Sequence, residues 1–222
     1  MRNLSFSTKE LYHVYNRGVD KRAIFNTKGD MERFLQSMRV LNNEKIVGSV
    51  RDASSRHLVS GKKGGTKLVK IIAFCLNKNH FHFILEPLTE KGIEKFMHKM
   101  GMSYAKYFNA KYRRSGSLFQ GTFKAKLVDS NEYLLYLSSY INLNNKAHSR
   151  KNSSFYKSSW MEYVGEEVGL CDTEVIISQF KNRNEFRKFA EETLETIVER
   201  KDLLSELELE PPRHLVSGRG NL

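Results

Sequence analysis

Leu68-Val69-Lys70-Ile71-Ile72-Ala73-Phe74-Cys75-Leu76 and, after Asn77-Lys78-Asn79, His80-Phe81-His82-Phe83-Ile84-Leu85 read as two apolar strands joined by a tight polar turn. Residues two apart on a strand point to the same side. His80 and His82 therefore project together from an otherwise apolar element. Such a pair invites a partner, and a divalent metal is one, since neutral imidazole is the commonest metal ligand. The plainer alternative is two half-exposed histidines bonded to backbone or water.

Working outward, Leu11-Tyr12-His13-Val14-Tyr15 reads as a first strand ended by Asn16-Arg17-Gly18. Met31, Phe34, Leu35, Met38 and Leu41 recur at helical spacing, with Asp30 as the expected cap. Residues 42–66 are polar and rich in Gly, Ser and Lys, the composition of a long loop or mobile hairpin. Beyond the histidines, Ile93, Phe96, Met97, Met100, Tyr104, Tyr107 and Phe108 trace one face of a long helix. Phe119 to Val128 then predicts a strand, and Asp129 with Glu132 predicts a capped helix that turns Leu134, Leu137 and Ile141 inward. Strand-helix-strand-strand-helix-strand-helix is the order of an α+β, ferredoxin-like (RRM-like) antiparallel sheet with helices on one face. A C-terminal helical extension follows, acid-rich from Asp172 to about Glu210. Arg56-His57-Leu58-Val59-Ser60-Gly61 recurs letter for letter as Arg213 to Gly218, and nothing physical in the sequence explains the repeat.

The 222 residues suit one compact domain plus an extension, and the charge divides them at the same place. Residues 1–165 hold 29 lysines and arginines against 12 acids, whereas 166–222 hold 8 against 13. A basic body of +17 with an acidic tail of −5 fits a polyanion-binding domain (1–165, with a flexible insertion at 42–66) and an appendage (166–222). Within the body, residues 91–126 carry nine Lys/Arg and a single acid, Glu94. Lys95, Lys99, Lys106, Arg113, Arg114, Lys124 and Lys126 there interleave with Tyr104, Tyr107, Phe108, Tyr112, Phe119 and Phe123, which suits a nucleic-acid surface. No apolar run approaches a membrane span, and Met1 to Thr8 lack the apolar core of a signal peptide. Cys75 and Cys171 have no CxxC spacing, so the chain reads as cytoplasmic with reduced thiols.

On the helix after Asp129, Tyr140 and Asn144 are four residues apart and share a face. A tyrosine beside a metal-bound phosphate can attack phosphorus while the ion stabilises charge on the phosphoryl oxygens. An amide oxygen from Asn144 can complete a ligand set with His80 and His82. Tyr133 and Tyr136 are rival nucleophiles by position, and spacing does not choose among them.

Asn79-His80-Phe81-His82-Phe83-Ile84-Leu85, Gly116-Ser117-Leu118-Phe119-Gln120-Gly121-Thr122-Phe123-Lys124-Ala125 and Tyr140-Ile141-Asn142-Leu143-Asn144 together resemble the HUH-type single-tyrosine transposases of the IS200-like superfamily, most of all the REP-associated tyrosine transposases. Tyr12 to Gly18, Ser158-Ser159-Trp160 and Leu170 to Glu174 resemble that family's other landmarks. The resemblance implies a divalent metal, magnesium or else manganese, on His80, His82 and Asn144, with Tyr140 as nucleophile. It implies nicking and rejoining of single-stranded DNA through a covalent 5′-phosphotyrosine, on a hairpin or palindromic repeat, by a monomer or homodimer. The sequence departs from the pattern in two places: Asn77-Lys78 stands where the family has Met-Pro, and Asn145 where it has Pro.

Three other readings compete. His80-x-His82 with Glu86 resembles the first metal motif of cupins, but a cupin needs a barrel of many strands and a second histidine motif. A non-catalytic RNA-binding domain of the same topology would carry stacking aromatics where His80 and His82 stand. Rolling-circle initiators and relaxases share the HUH chemistry, and the Tyr140–Asn144 and Leu118–Gly121 motifs favour the transposases over them.

Overall fold

The computed structural model describes residues 5–45, 65–144, 146 and 156–201. Most of the 42–66 segment and both copies of the six-residue repeat lie outside them. Among the described residues, strands β1 (Tyr12–Arg17), β2 (Val69–Asn77), β3 (His80–Pro87), β4 (Lys124–Leu127) and β5 (Tyr156–Ser158) form an antiparallel sheet in the order β4-β1-β3-β2-β5. The first four strands, with helices α1 (Lys28–Leu41) and α2 (Gly92–Lys111), have the expected ferredoxin-like arrangement, and β5 extends the β2 edge.

Strand alternation divides the hydrophobic residues between two cores. Phe81, Phe83 and Leu85 of β3, with Val14, Phe74 and Leu76, pack against Phe34 and Met38 of α1 and Phe96, Met100 and Tyr104 of α2. Ile84, Ile72 and Cys75 point the other way. Helix α3 (Asn131–Asn142) covers that second face with Leu134, Leu137 and Ile141. Placing the helices on one face only is therefore corrected. α1 and α2 share a face, but the alternation leaves an apolar stripe on the reverse side that α3 must bury.

The C-terminal segment adds to this second layer. Short helices α4 (Trp160–Tyr163) and α5 (Glu174–Ile177) lead to α6 (Arg183–Lys201), which lies along α3. Ile176, Phe186, Ala190 and Ile197 join the core that contains Tyr140. Glu166, Glu167, Glu174, Glu185, Glu191, Glu192 and Glu195 are exposed, so the charge of the segment separates it from the body while its apolar side does not.

Local chemistry shifts several element ends. Thr27, not Asp30, caps α1. Asp30 is the third helical residue and completes a capping box, its carboxylate accepting from the Thr27 amide at 2.9 Å. Ser130, not Asp129, caps α3 through the Tyr133 amide at 3.1 Å. The predicted strand from Phe119 shortens to Lys124–Leu127 because Gly121, at φ +66, turns the chain out of the ladder. Phe119 keeps only a bridge to Gly18.

Candidate active site

Strand pairing explains why the motif residues meet. On β1, β2 and β3 the register aligns Tyr15 with His82 and His82 with Cys75, and aligns Arg17 with His80 and His80 with Asn77. Directly opposed residues share a face. Two rows thus cross the sheet beneath α3, one through each histidine. Their rings stand edge to face with centroids 5.2 Å apart.

The hairpin that aims His80 is firmly tied. The Gly18 amide donates to the Asn79 carbonyl at 2.8 Å, and the Ile24 and Phe25 amides donate to the Lys78 carbonyl at 2.8 and 3.1 Å. The Asn79 side chain donates to the Lys21 carbonyl at 3.2 Å. These bonds hold the turn without the proline that the related motif carries.

Both ring nitrogens of His80, and Nδ1 of His82, meet a neighbouring side chain. Nδ1 of His80 lies 2.6 Å from Oδ1 of Asn79. An oxygen acceptor requires the proton on Nδ1, leaving the Nε2 lone pair directed into the site. The Asn77 side-chain nitrogen meets that lone pair at 2.9 Å and reaches Oδ1 of Asn144 at 2.8 Å. His82 is fully buried, and its Nδ1 lies 2.9 Å from Nε2 of His13, also fully buried. Tyr15 stacks on both rings, with centroids 4.8 Å from His13 and 5.6 Å from His82.

α3 delivers the remaining residues. Tyr140 presents its ring edge-on to His82, with centroids 5.8 Å apart. Asn144, just past the helix end, lies beside the Tyr140 hydroxyl. Burial pushes that hydroxyl well above the ordinary tyrosine value, the nearby Cys75 adds to the rise, and Asn144 opposes it. Tyr133 and Tyr136 lie on the same helix, and Tyr140 makes the ring contact with His82.

These residues fit a divalent cation. Nε2 of His80 and Oδ1 of Asn144 both accept from one amide nitrogen, so two lone pairs converge on a single point. Among the described residues no three His, Cys, Asp or Glu side chains are arranged to hold a metal ion by themselves. A metal here would rest on two imidazoles and an amide oxygen.

The basic residues do not form one surface. Lys124 and Lys126 are the register partners of Tyr15 and His13, on the histidine face. Lys95, Lys99 and Lys106 ride on α2, which packs on the opposite face. Lys99 donates to the Asn43 and Glu44 carbonyls at 2.5 and 3.2 Å, and Lys95 lies 3.6 Å from Glu44. Arg113 is exposed beyond the end of α2, and Arg114 lies over the Phe108 ring at 5.8 Å.

His13, Tyr15, Arg17 and Asn77 are the neighbours that motif reading passes over. The first three alternate along β1 on the histidine side, and that period of two was the available signal. Arg17 is also held through its Nε by Gln120.

Residues 59–144 match the family described as transposase IS200-like. That match covers 86 of the 222 residues. The IS200-like span includes His80, His82, Tyr140 and Asn144, while His13, Arg17 and everything after residue 144 fall outside it. No curated protein matches the chain. Among solved structures, a REP-associated tyrosine transposase bound to a REP hairpin is similar at 10% identity and a TM-score of 0.49, over 74% of this chain and 85% of that one. Among the described residues, no helix is long and apolar enough to cross a membrane.

Proposed function

We propose that the protein is a single-tyrosine transposase of the HUH type, which nicks and rejoins single-stranded DNA with Tyr140 as nucleophile. The observation that carries this reading is the convergence of Tyr140 and Asn144, from α3, on His80 and His82, from β3. A catalytic tyrosine needs a phosphate held beside it, and the ligand pair is where that phosphate would be fixed.

His80, His82 and Asn144 would hold a divalent ion, which supplies Lewis-acid stabilisation of charge on the phosphoryl oxygens. Tyr140 Oη attacks phosphorus, forming a Tyr–O–P bond as the bond to the departing 3′ oxygen breaks. The phenolic proton is lost and the 3′ oxygen leaves as a hydroxyl. Attack by another 3′-hydroxyl reverses the exchange, so bond energy is conserved and rejoining requires no nucleotide. Arg17, register partner of His80 on the same face, is suited to grip an adjacent phosphate. A hairpin or palindromic repeat is the proposed substrate, with the proposed catalytic residues all lying within 1–165.

A single-stranded oligonucleotide with a scissile bridging phosphorothiolate at the cleaved position tests this. The wild-type chain with Mn2+ is expected to yield a covalent protein–DNA adduct on denaturing gels, and Tyr140→Phe none. An adduct formed by Tyr140→Phe but not by Tyr136→Phe would move the nucleophile to Tyr136. Cleavage that persists in chelator would remove the metal from the reaction.

A further inference from the structure

We propose that His13 is a positioning residue that fixes His82 in the one neutral tautomer able to bind a metal. The inference rests on the reading of His82 as a ligand, and goes beyond it by assigning a role to a residue outside the IS200-like span.

Only one proton can lie in the 2.9 Å contact between Nε2 of His13 and Nδ1 of His82. If His13 supplies it, neutral His82 carries its own proton on Nε2 and has no lone pair for a cation. If His82 supplies it, Nε2 of His82 is bare and His13 holds its proton on Nδ1. The second arrangement alone makes His82 a ligand. It matches His80, whose Nδ1 faces the Asn79 oxygen and whose Nε2 faces Asn144 across the Asn77 amide. Ligating histidines characteristically donate their second N–H to a fixed acceptor, which sets both tautomer and ring angle.

The surroundings of His13 hold it in that role. It is fully buried on β1, between register partners Ile84 and Lys126. Tyr15, two residues on, stacks on both imidazoles and restricts rotation of either ring. His13 meets His82 through its Nε2 and stacks beside its ring, with centroids 5.1 Å apart, so it acts through His82.

The full chain, free of metal, is examined first by long-range 1H–15N correlation of its imidazoles. His82 is expected in the Nδ1–H form in the wild type and in the Nε2–H form in His13→Phe. Mn2+ affinity is then measured by calorimetry, with thermal melts for every variant. His82→Ala should abolish binding at the site. His13→Phe should weaken it by roughly 10- to 100-fold. His13→Gln should recover most of the loss, because its amide oxygen can accept the Nδ1 proton. Unchanged Mn2+ binding in His82→Ala defeats the ligand reading itself. Loss in His82→Ala with wild-type affinity in both His13 variants, or an Nε2–H tautomer in the wild type, overturns the role of His13 alone. Should His13→Phe not fold, the wild-type tautomer and His13→Gln still decide the question.

Discussion

Asn77 and Asn144, sixty-seven residues apart in the chain, meet through one hydrogen bond, Nδ2 to Oδ1 at 2.8 Å, and the same Asn77 nitrogen also meets Nε2 of His80. Asn77 belongs to the Asn-Lys pair that departs from the related motif. Its amide bridges two of the proposed ligand atoms and occupies the point on which they converge. A cation must displace it. Asn77→Ala is therefore expected to tighten Mn2+ binding several-fold while lowering stability by about 1 kcal/mol for the lost hydrogen bonds. Titration calorimetry and a urea melt check both parts. Weaker binding would instead make Asn77 a ligand through its oxygen.

The donor set bears on which ion works. Magnesium favours oxygen ligands in near-ideal octahedra, whereas two imidazoles favour later divalent metals. Mn2+ is expected to support adduct formation at lower concentration than Mg2+. Adduct yield against concentration of each ion measures this, and equal midpoints would count against nitrogen ligation.

Asp30 anchors α1 to α2. Its side chain is fully buried and accepts from Lys111 at 2.6 Å, Tyr107 at 2.9 Å and Tyr112 at 2.7 Å, besides the Asn26 and Thr27 amides. Burial alone would raise the carboxyl, but the bonds from Lys111, Tyr112, Asn26 and Tyr107 outweigh it and hold the group at about 2, below its ordinary 3.8. The native state thus favours the charged form. Its contribution, about 2 kcal/mol, is present in full above the ordinary value and is lost as pH falls toward 2. Asp30→Asn should remove that acid dependence and cost at least as much at neutral pH, as urea denaturation at pH 7 and pH 3 will show.

The element order and the histidine pair were legible because both depend on short-range periodicity. Phe81, Phe83 and Leu85 alternate with His80, His82 and Ile84, and that alternation assigns faces without a structure. What was hidden depends on register between distant segments. Asp30 looks like a cap from its neighbours, yet most of its partners are 77 to 82 residues away. His13 looks like an ordinary strand residue until β1 pairs with β3 and sets it against His82. The charge boundary near residue 165 likewise hid the apolar side of the extension, since net charge counts only charged residues and not the apolar ones that pack.

That apolar side argues against an extension that can be cut away. Phe186 is fully buried, with its ring centroid 5.0 Å from that of Tyr163 and 6.2 Å from that of Trp160. Phe186→Ala should cost about 3–5 kcal/mol. Truncation before Arg183 would expose Tyr140's own core, and is expected to abolish cooperative unfolding together with the adduct. A truncated chain that melts cooperatively and still forms the adduct would show the extension to be an appendage after all.

DNA affinity should follow the faces of the sheet. A strand whose phosphate reaches Tyr140 must cross the histidine side, where Lys124 and Lys126 flank Tyr15 and His13 on the β4 edge. Lys95, Lys99 and Lys106 lie behind the sheet on α2, and Lys95 and Lys99 are already engaged with the 43–44 segment. Each phosphate neutralised on a single strand releases counterions worth about 0.7 in the log–log salt slope. Replacing Lys124 and Lys126 with alanine is expected to flatten the slope by about 1.4 if each meets one phosphate. Replacing Lys95, Lys99 and Lys106 should leave it nearly unchanged. Fluorescence anisotropy of a labelled single strand between 50 and 200 mM salt, a range over which a slope change of about 1.4 amounts to roughly sevenfold in affinity, resolves the two. The reverse ranking would mean that DNA wraps around the α2 side, and would return the interface to the full basic stretch from 91 to 126.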